Sequence, residues 1–373
     1  MITGSLFLVY LAGLLMGAVA GFVMHRADYC VAGMFRDAFL FGQAGRLRIL
    51  FLQVMVTMLL FEVARLLGLL PLYPFPFLAA PALVNLVGGS LFGLGMVLAG
   101  GCVFGTLYKM GAGSVISLVA FFGLILGSGL YAWLHSWWGP LAKATILTGG
   151  VITIPQLLQI SPTIPMSIFF LGSLYLIIRW QKQRYWQRTV SVAGYIQPWQ
   201  AAIILAVIGL ISYLLVGMPL GITTTFSKLA AMALNIVVPE KVAELAFFQA
   251  VSVNLIHPSS GALLHGGPGP QHDTIFAIQF PVIVGVVLGG AGSALLLGEF
   301  SLRFRVPVSQ LLSALLGGVL MGVAARMAPA CNIWHLMGGL PIMAMQSILF
   351  FLGLLPGAWL GGKVIKALVL GRQ

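Results

Sequence analysis

Gly88, Gly89, Gly93 and Cys102 recur as Gly317, Gly318, Gly322 and Cys331, each 229 residues further along the chain. Each copy is an apolar segment that stops at a Gly- or Pro-rich break, with a cysteine at the break. A chain carrying this pattern twice is built from two related halves. Paired interruptions of membrane helices in corresponding halves are the best sequence pointer to a central binding site. Composition makes these segments membrane helices: 60% of the 373 residues are hydrophobic and 7% are charged, where a soluble domain carries about 25% charged residues. Water-soluble classes are excluded. The net charge of +12 would suggest nucleic acid, but the charges sit in loops. Arg179, Lys182, Arg184 and Arg188 share one loop, Arg303 and Arg305 another, and Lys363, Lys366 and Arg372 the tail. That is positive-inside asymmetry, which sets orientation and argues against a nucleic-acid partner.

A bilayer-crossing helix needs roughly 20 mainly apolar residues. Nine segments qualify: 5–24, 47–67, 82–100, 115–135, 165–180, 199–217, 274–297, 308–327 and 342–362. Residues 1–20 lack a basic leading region and read as a first span, not as a cleaved signal. Basic loops placed in the cytoplasm put the C-terminus inside and the N-terminus outside. The expected fold is an all-α integral membrane protein, an inverted repeat with re-entrant broken segments. Residues 1–140 form the first half, 141–198 a linker with the fifth span, and 199–373 the second half. Residues 240–273 form an insertion at the outer surface with an amphipathic helix; 244–256 is too short to cross.

Four breaks follow. The first spans His25 to Gly33 and includes Cys30. The second reads Gly100-Gly101-Cys102-Val103-Phe104-Gly105 and leads to Lys109. The third offers Thr223, Thr224 and Thr225 in place of a cysteine. The fourth reads Pro329-Ala330-Cys331-Asn332-Ile333-Trp334-His335. Non-helical backbone at membrane depth survives only when buried in protein or lining a polar cavity. Freed N–H groups and half-helix N-termini there suit an anion. Thiols are weak donors with soft, polarizable sulfur. They suit a sulfur-bearing substrate better than a hard oxyanion, which draws Arg or Lys.

Each feature has a plainer explanation. A single membrane cysteine is usually buried for packing, but three at helix breaks, two of them repeat-related, favour function. Arg26, Asp28, Arg36 and Asp37 read first as an ion-pair cluster, Lys109 as an ordinary loop charge, and His335 as a hydrogen-bonded structural histidine. His257, His265 and His272 match no compact metal motif, and no cofactor is implied. Glu62 pairs with Arg65 on the next turn. Trp133, Trp137, Trp138, Trp180, Trp186 and Trp199 sit near span ends, as an interfacial belt requires.

Three motifs together resemble the YeeE/YedE family of bacterial inner-membrane transporters for sulfur compounds. They are Gly21 to Arg26 through Cys30, Gly33 and Phe35-Arg36-Asp37; Val97 to Cys102 through Gly105, Tyr108-Lys109 and Gly111-Ala112-Gly113; and Cys331-Asn332-Ile333 with His335 and Gly338. The resemblance covers essentially the whole chain. It implies an hourglass fold of nine spans and uptake of thiosulfate or a related sulfur anion. The path would be Cys30, Cys102 and Cys331, with Cys102 and Cys331 the central pair and Cys30 the cytoplasmic-side relay. Gly101, Gly105, Thr223, Thr224, Asn332, His335, Arg36 and Lys109 are secondary positions on that path. A small cytoplasmic sulfur-carrier protein is an implied partner. Pro329-Ala330 and Trp334 depart from the family pattern. A selenium-compound permease is one alternative. Another is a membrane-embedded sulfurtransferase or redox protein, with His335 as base. No nucleotide-binding motif is present, and passive or partner-coupled flow is the expected energetics.

Overall fold

In the computed structural model, residues 2–70, 72–75, 78–183, 185–186, 194–256 and 263–367 are described. Pro71, Arg184, Arg188, His257 and Arg372 lie outside them. Nine helices among the described residues are long and apolar enough to cross a membrane, and the protein is an all-α integral membrane protein. In chain order the helices are α1 (Ile2–Arg26), α2 (Val31–Phe41), α3 (Leu47–Leu66), α4 (Leu83–Leu98), α5 (Val103–Gly111), α6 (Val115–Ala144), α7 (Thr163–Lys182), α8 (Pro198–Val216), α9 (Thr223–Val237), α10 (Thr274–Leu297), α11 (Val308–Met327) and α12 (Met345–Ile365). Between α11 and α12 a short helix opens after Cys331 and runs into a π-helical turn, Trp334–Gly339.

The two halves interlock through equivalent contacts. Helix α1 packs on α10, as α8 packs on α3; α4 packs on α12, as α11 packs on α6. Without a hydrophobic force between helices in lipid, close packing has to come from small residues. A Cβ on Gly89 or Gly93 would fall on the carbonyl oxygens of Phe350 and Leu354. At the positions 229 residues on, a Cβ on Gly318 or Gly322 would fall on those of Ala120 and Leu124. The repeated glycines are therefore contact points between backbones. Helix α7 buries little and packs on α3, where Arg65 donates to Thr163 Oγ1 (2.8 Å) and is paired with Glu62 (2.6 Å).

Several boundaries move. Helix α6 runs nine residues beyond 135, to Ala144, so the division at 140 falls inside a helix. The last span opens at Met345, not 342, because Leu340–Ile342 is a tight turn with Met343 left-handed. Among its described residues the insertion holds no long amphipathic helix. Pro239–Glu244 and Ala246–Gln249 are short, and β1 (Val253–Ile256) pairs antiparallel with β2 (Leu263–Gly266). Of the tryptophans, Trp133 and Trp137 are exposed as a belt requires. Trp138 is buried and donates to the Met327 carbonyl (3.1 Å), closing the end of α11, and Trp186 is buried as well.

Candidate functional site

Each break positions a side chain at the N-terminus of a short helix. Cys30 precedes α2, Cys102 precedes α5, Ile222 precedes α9 and Cys331 precedes the fourth short helix. An N-cap residue satisfies amides that have no partner inside the helix. Cys102 Sγ accepts from Gly105 N at 3.4 Å. Cys30 makes no side-chain cap bond, its sulfur lying near the Gly33 amide, and the Cys331 sulfur lies near the amides of Ile333 and Trp334. All three thiols are free and buried.

Cys30 and Cys102 come together across Gly105. Gly105 makes this possible: a Cβ there would stand 2.9 Å from Cys30 Sγ and 3.5 Å from Cys102 Sγ. The direct thiol pair is thus Cys30 with Cys102, and Cys331 approaches it through Asn332, which lies beside the Cys102 sulfur. Both amide atoms of Asn332 are buried. Tyr108, also buried, brings its hydroxyl to Cys30 on the other side. The succession is Tyr108, Cys30, Cys102, Asn332, Cys331, and beyond it Arg326.

A polar vestibule opens at each end of that succession. One, of about 520 Å³, is lined by His25, Asp28, Tyr108, Lys109, Arg303 and Arg305 among others. Lys109 Nζ folds back to the Gly100 carbonyl (2.8 Å), so it is tied to the break rather than being a free loop charge. The other, of about 320 Å³, is lined by Thr223, Thr224, Gln279, Arg326, Ala330 and Trp334 among others. Arg326 donates to the hydroxyl oxygens of Thr223 and, at 3.3 Å, Thr224. Neither vestibule includes a cysteine.

Other positions expected on the path are placed elsewhere. Arg36 is bound to Asp37 (2.9 Å), and Arg46 bridges Asp28 (2.8 Å) and Asp37 (3.3 Å). This is an ion-pair cluster holding α2, with Arg46 in the place expected of Arg26, which instead donates to the Gly194 carbonyl. His335 bonds Ser347 Oγ through Nδ1 (2.9 Å) and stacks on Phe350 at 4.1 Å. Both contacts tie the ring to α12, while its Nε2 is buried without a partner among the described residues. Gly101 stands at the turn itself, after Gly100 at φ +69°. Sequence reasoning passed over Arg326. Its signal was there, an arginine in the last turn of an apolar span five residues before Cys331, and intramembrane ionisable groups are functional candidates by default. Gln279 on α10 was also missed.

Ala330 has φ +123°, a region that L-residues rarely adopt, and its repeat counterpart is Gly101. Strain of this kind costs about 1–3 kcal/mol. Ala330→Gly is expected to stabilise the protein by about 1 kcal/mol, seen as a higher melting temperature of the detergent-solubilised protein.

A family model described as sulphur transport matches residues 26–360. The chain belongs to this sulphur transport family. Among curated relatives, a thiosulfate transporter, TsuA, of Spirochaeta thermophila is 30% identical over 367 residues, 93% of this chain and 98% of that protein. Thiosulfate transporter TsuA of Escherichia coli is 38% identical over 117 residues, 31% of this chain and 32% of that protein. A probable transporter, YedE, of Salmonella typhimurium is 30% identical over 172 residues, 46% of this chain and 41% of that protein. As a sulphur transport family member, the chain is a multi-pass membrane transporter for sulfur compounds and not an enzyme.

Proposed function

We propose that this transporter carries thiosulfate into the cytoplasm through the three thiols, in the order Cys331, Cys102, Cys30. The observation that carries the reading is the placement of the sulfurs: each begins a short helix, two meet across Gly105, and the series runs between two polar vestibules. Weak S–H···S contacts favour entry without trapping the ion, as a conduit requires. The helix N-termini around it supply partial positive charge where no bulk water reaches.

The arginine vestibule is assigned to the outer face, with the N-terminus, and the lysine vestibule to the cytoplasm of a bacterial inner membrane. That assignment follows the basic residues: Arg303 and Arg305 are exposed at the lysine vestibule, where positive-inside asymmetry puts the cytoplasm. A small sulfur-carrier protein would meet the chain there. The two halves act as inverted repeats joined by a linker that holds the helix Thr163–Lys182. Transport of a selenium analogue uses the same soft contacts and is separated by competition.

The test is uptake of radiolabelled thiosulfate into proteoliposomes, with and without an imposed ion gradient, against selenosulfate as competitor. Uptake that needs no imposed gradient, levels off at equal inner and outer concentration and survives a selenium competitor in equal concentration supports passive thiosulfate flow. Uptake no greater than in empty vesicles refutes the reading.

A further inference from the structure

The arginine vestibule carries polar groups that its repeat counterpart lacks. Arg326 stands where the first half has Val97, and Gln279 where it has Leu50, at the same separation of 229 residues. Thr223 and Thr224 follow the N-cap Ile222, whereas Val31 and Ala32 follow the N-cap Cys30. Packing and the repeat are satisfied by apolar residues at all four places. The second half therefore has a polar cluster that the architecture itself does not require.

The hydrogen bonds of the cluster are arranged to leave donors over. Arg326 donates to the Thr223 and Thr224 oxygens, and a hydroxyl oxygen that accepts keeps its own O–H to donate. Among the described residues neither hydroxyl proton has an acceptor. Arg326 Nε is buried with no partner. Gln279 accepts through Oε1 from Thr225 N (3.1 Å) and Thr225 Oγ1 (3.2 Å), which leaves its NH₂ to donate. A guanidinium with two hydroxyls and an amide, all donors around one cavity of about 320 Å³, matches the oxygens of a tetrahedral sulfur oxyanion.

We propose that Arg326, Thr223, Thr224 and Gln279 form an oxyanion-recognition site that grips the –SO₃ end of the substrate and presents its terminal sulfur to Cys331. The inference rests on the transport reading and adds a division of labour: hard donors read the oxygens, soft thiols read the sulfur. Arg326 lies near enough to Cys331 to act on it electrostatically, so both ends of one small ion can be engaged. An anion with oxygens alone, such as sulfate, would occupy the site without being passed on.

The experiment compares wild type, Arg326→Gln, Arg326→Lys, Thr223→Val/Thr224→Val and Cys102→Ala in proteoliposomes over a range of thiosulfate concentrations, with sulfate as competitor. For Arg326→Gln the half-saturating concentration is expected to rise roughly tenfold, the loss of a charged hydrogen-bonding group, with the maximal rate within about twofold of wild type. Sulfate inhibits wild type and loses its effect in the variant. Cys102→Ala shows the opposite split, losing maximal rate. Lysine is a point charge and cannot span both threonines, so Arg326→Lys and the double valine variant show smaller rises; these decide the matter if Arg326→Gln does not fold. An unchanged half-saturation in the folded variants overturns the site. If wild type carries no thiosulfate, the transport reading fails, and calorimetric titration of thiosulfate into solubilised wild type and Arg326→Lys decides. Weaker binding by the variant supports the site, and equal or absent binding overturns it.

Discussion

Cys102→Ala is expected to reduce thiosulfate uptake to the level of empty vesicles while the protein still inserts and purifies as a folded species. Cys102 occupies the middle of the succession: its sulfur lies against Cys30, accepts from Gly105 N and is approached by Asn332. Alanine removes all three contacts and leaves an apolar gap on the proposed path. The change in packing is small, since a thiol is close in size to a methyl group with one added atom, and the lost cap is worth about 1 kcal/mol. Cys102→Ser separates the two properties of the thiol. Serine caps Gly105 at least as well, but its oxygen is hard and its hydrogen bonds are stronger, so uptake is expected well below wild type. Full uptake by either variant, measured with radiolabelled substrate at equal protein in the vesicles, would show that sulfur is dispensable.

The largest effect on stability is expected at Asp273. Lys228 is fully buried, and its Nζ donates to Asp273 Oδ2 (2.5 Å) and to the carbonyls of Gly269 (3.1 Å) and Gln271 (2.9 Å). Asp273 also caps α10, accepting from Phe276 N at 3.0 Å, and takes Gly267 N at 3.0 Å. Removing one partner of a buried pair leaves an uncompensated charge and costs about 3–5 kcal/mol. Asp273→Ala is therefore expected to lower the melting temperature by several degrees and the folded yield severalfold. Lys228→Met removes the charge with a side chain of similar reach, and the double variant Lys228→Met/Asp273→Asn keeps the cap. Lys228→Met still leaves the buried Asp273 carboxylate uncompensated and is expected to lose on the same scale as Asp273→Ala, whereas the double variant, which removes both charges, is expected to lose far less. Thermal melts followed by size-exclusion profiles check the order. A milder loss in Asp273→Ala than in the double variant would mean that the ion pair does not hold the segment down.

The number of spans, their order and the four breaks were legible in the sequence, because apolar length and glycine punctuation are local properties. Bilayer thickness turns a 20-residue apolar run into a helix whatever its neighbours are. The repeat of Gly89, Gly93 and Cys102 at Gly318, Gly322 and Cys331 also indicated that two similar halves pack on each other. Lengths were read less well where an end is set by a partner. Helix α6 continues past His135 to Ala144, with Trp138 in the added turns reaching the end of α11. The strand pair in the insertion forms from segments whose pattern resembles that of any short apolar run.

The candidate site divides along the same line. Sequence by itself determined that three thiols stand at helix breaks, since residue identity and local backbone grammar fix an N-cap. Only tertiary structure decided which sulfurs meet: Cys30 and Cys102, 72 positions apart, converge because α1 and α5 both lie against α10 and Gly105 has no side chain to part them. Only tertiary structure brought Arg326 to Thr223 and Thr224 from the other side of the insertion, and turned Lys109 to the Gly100 carbonyl. Hydrophobicity and turn chemistry act between near neighbours in the chain, whereas charge pairing and cavity shape depend on distances that exist only once the helices have packed.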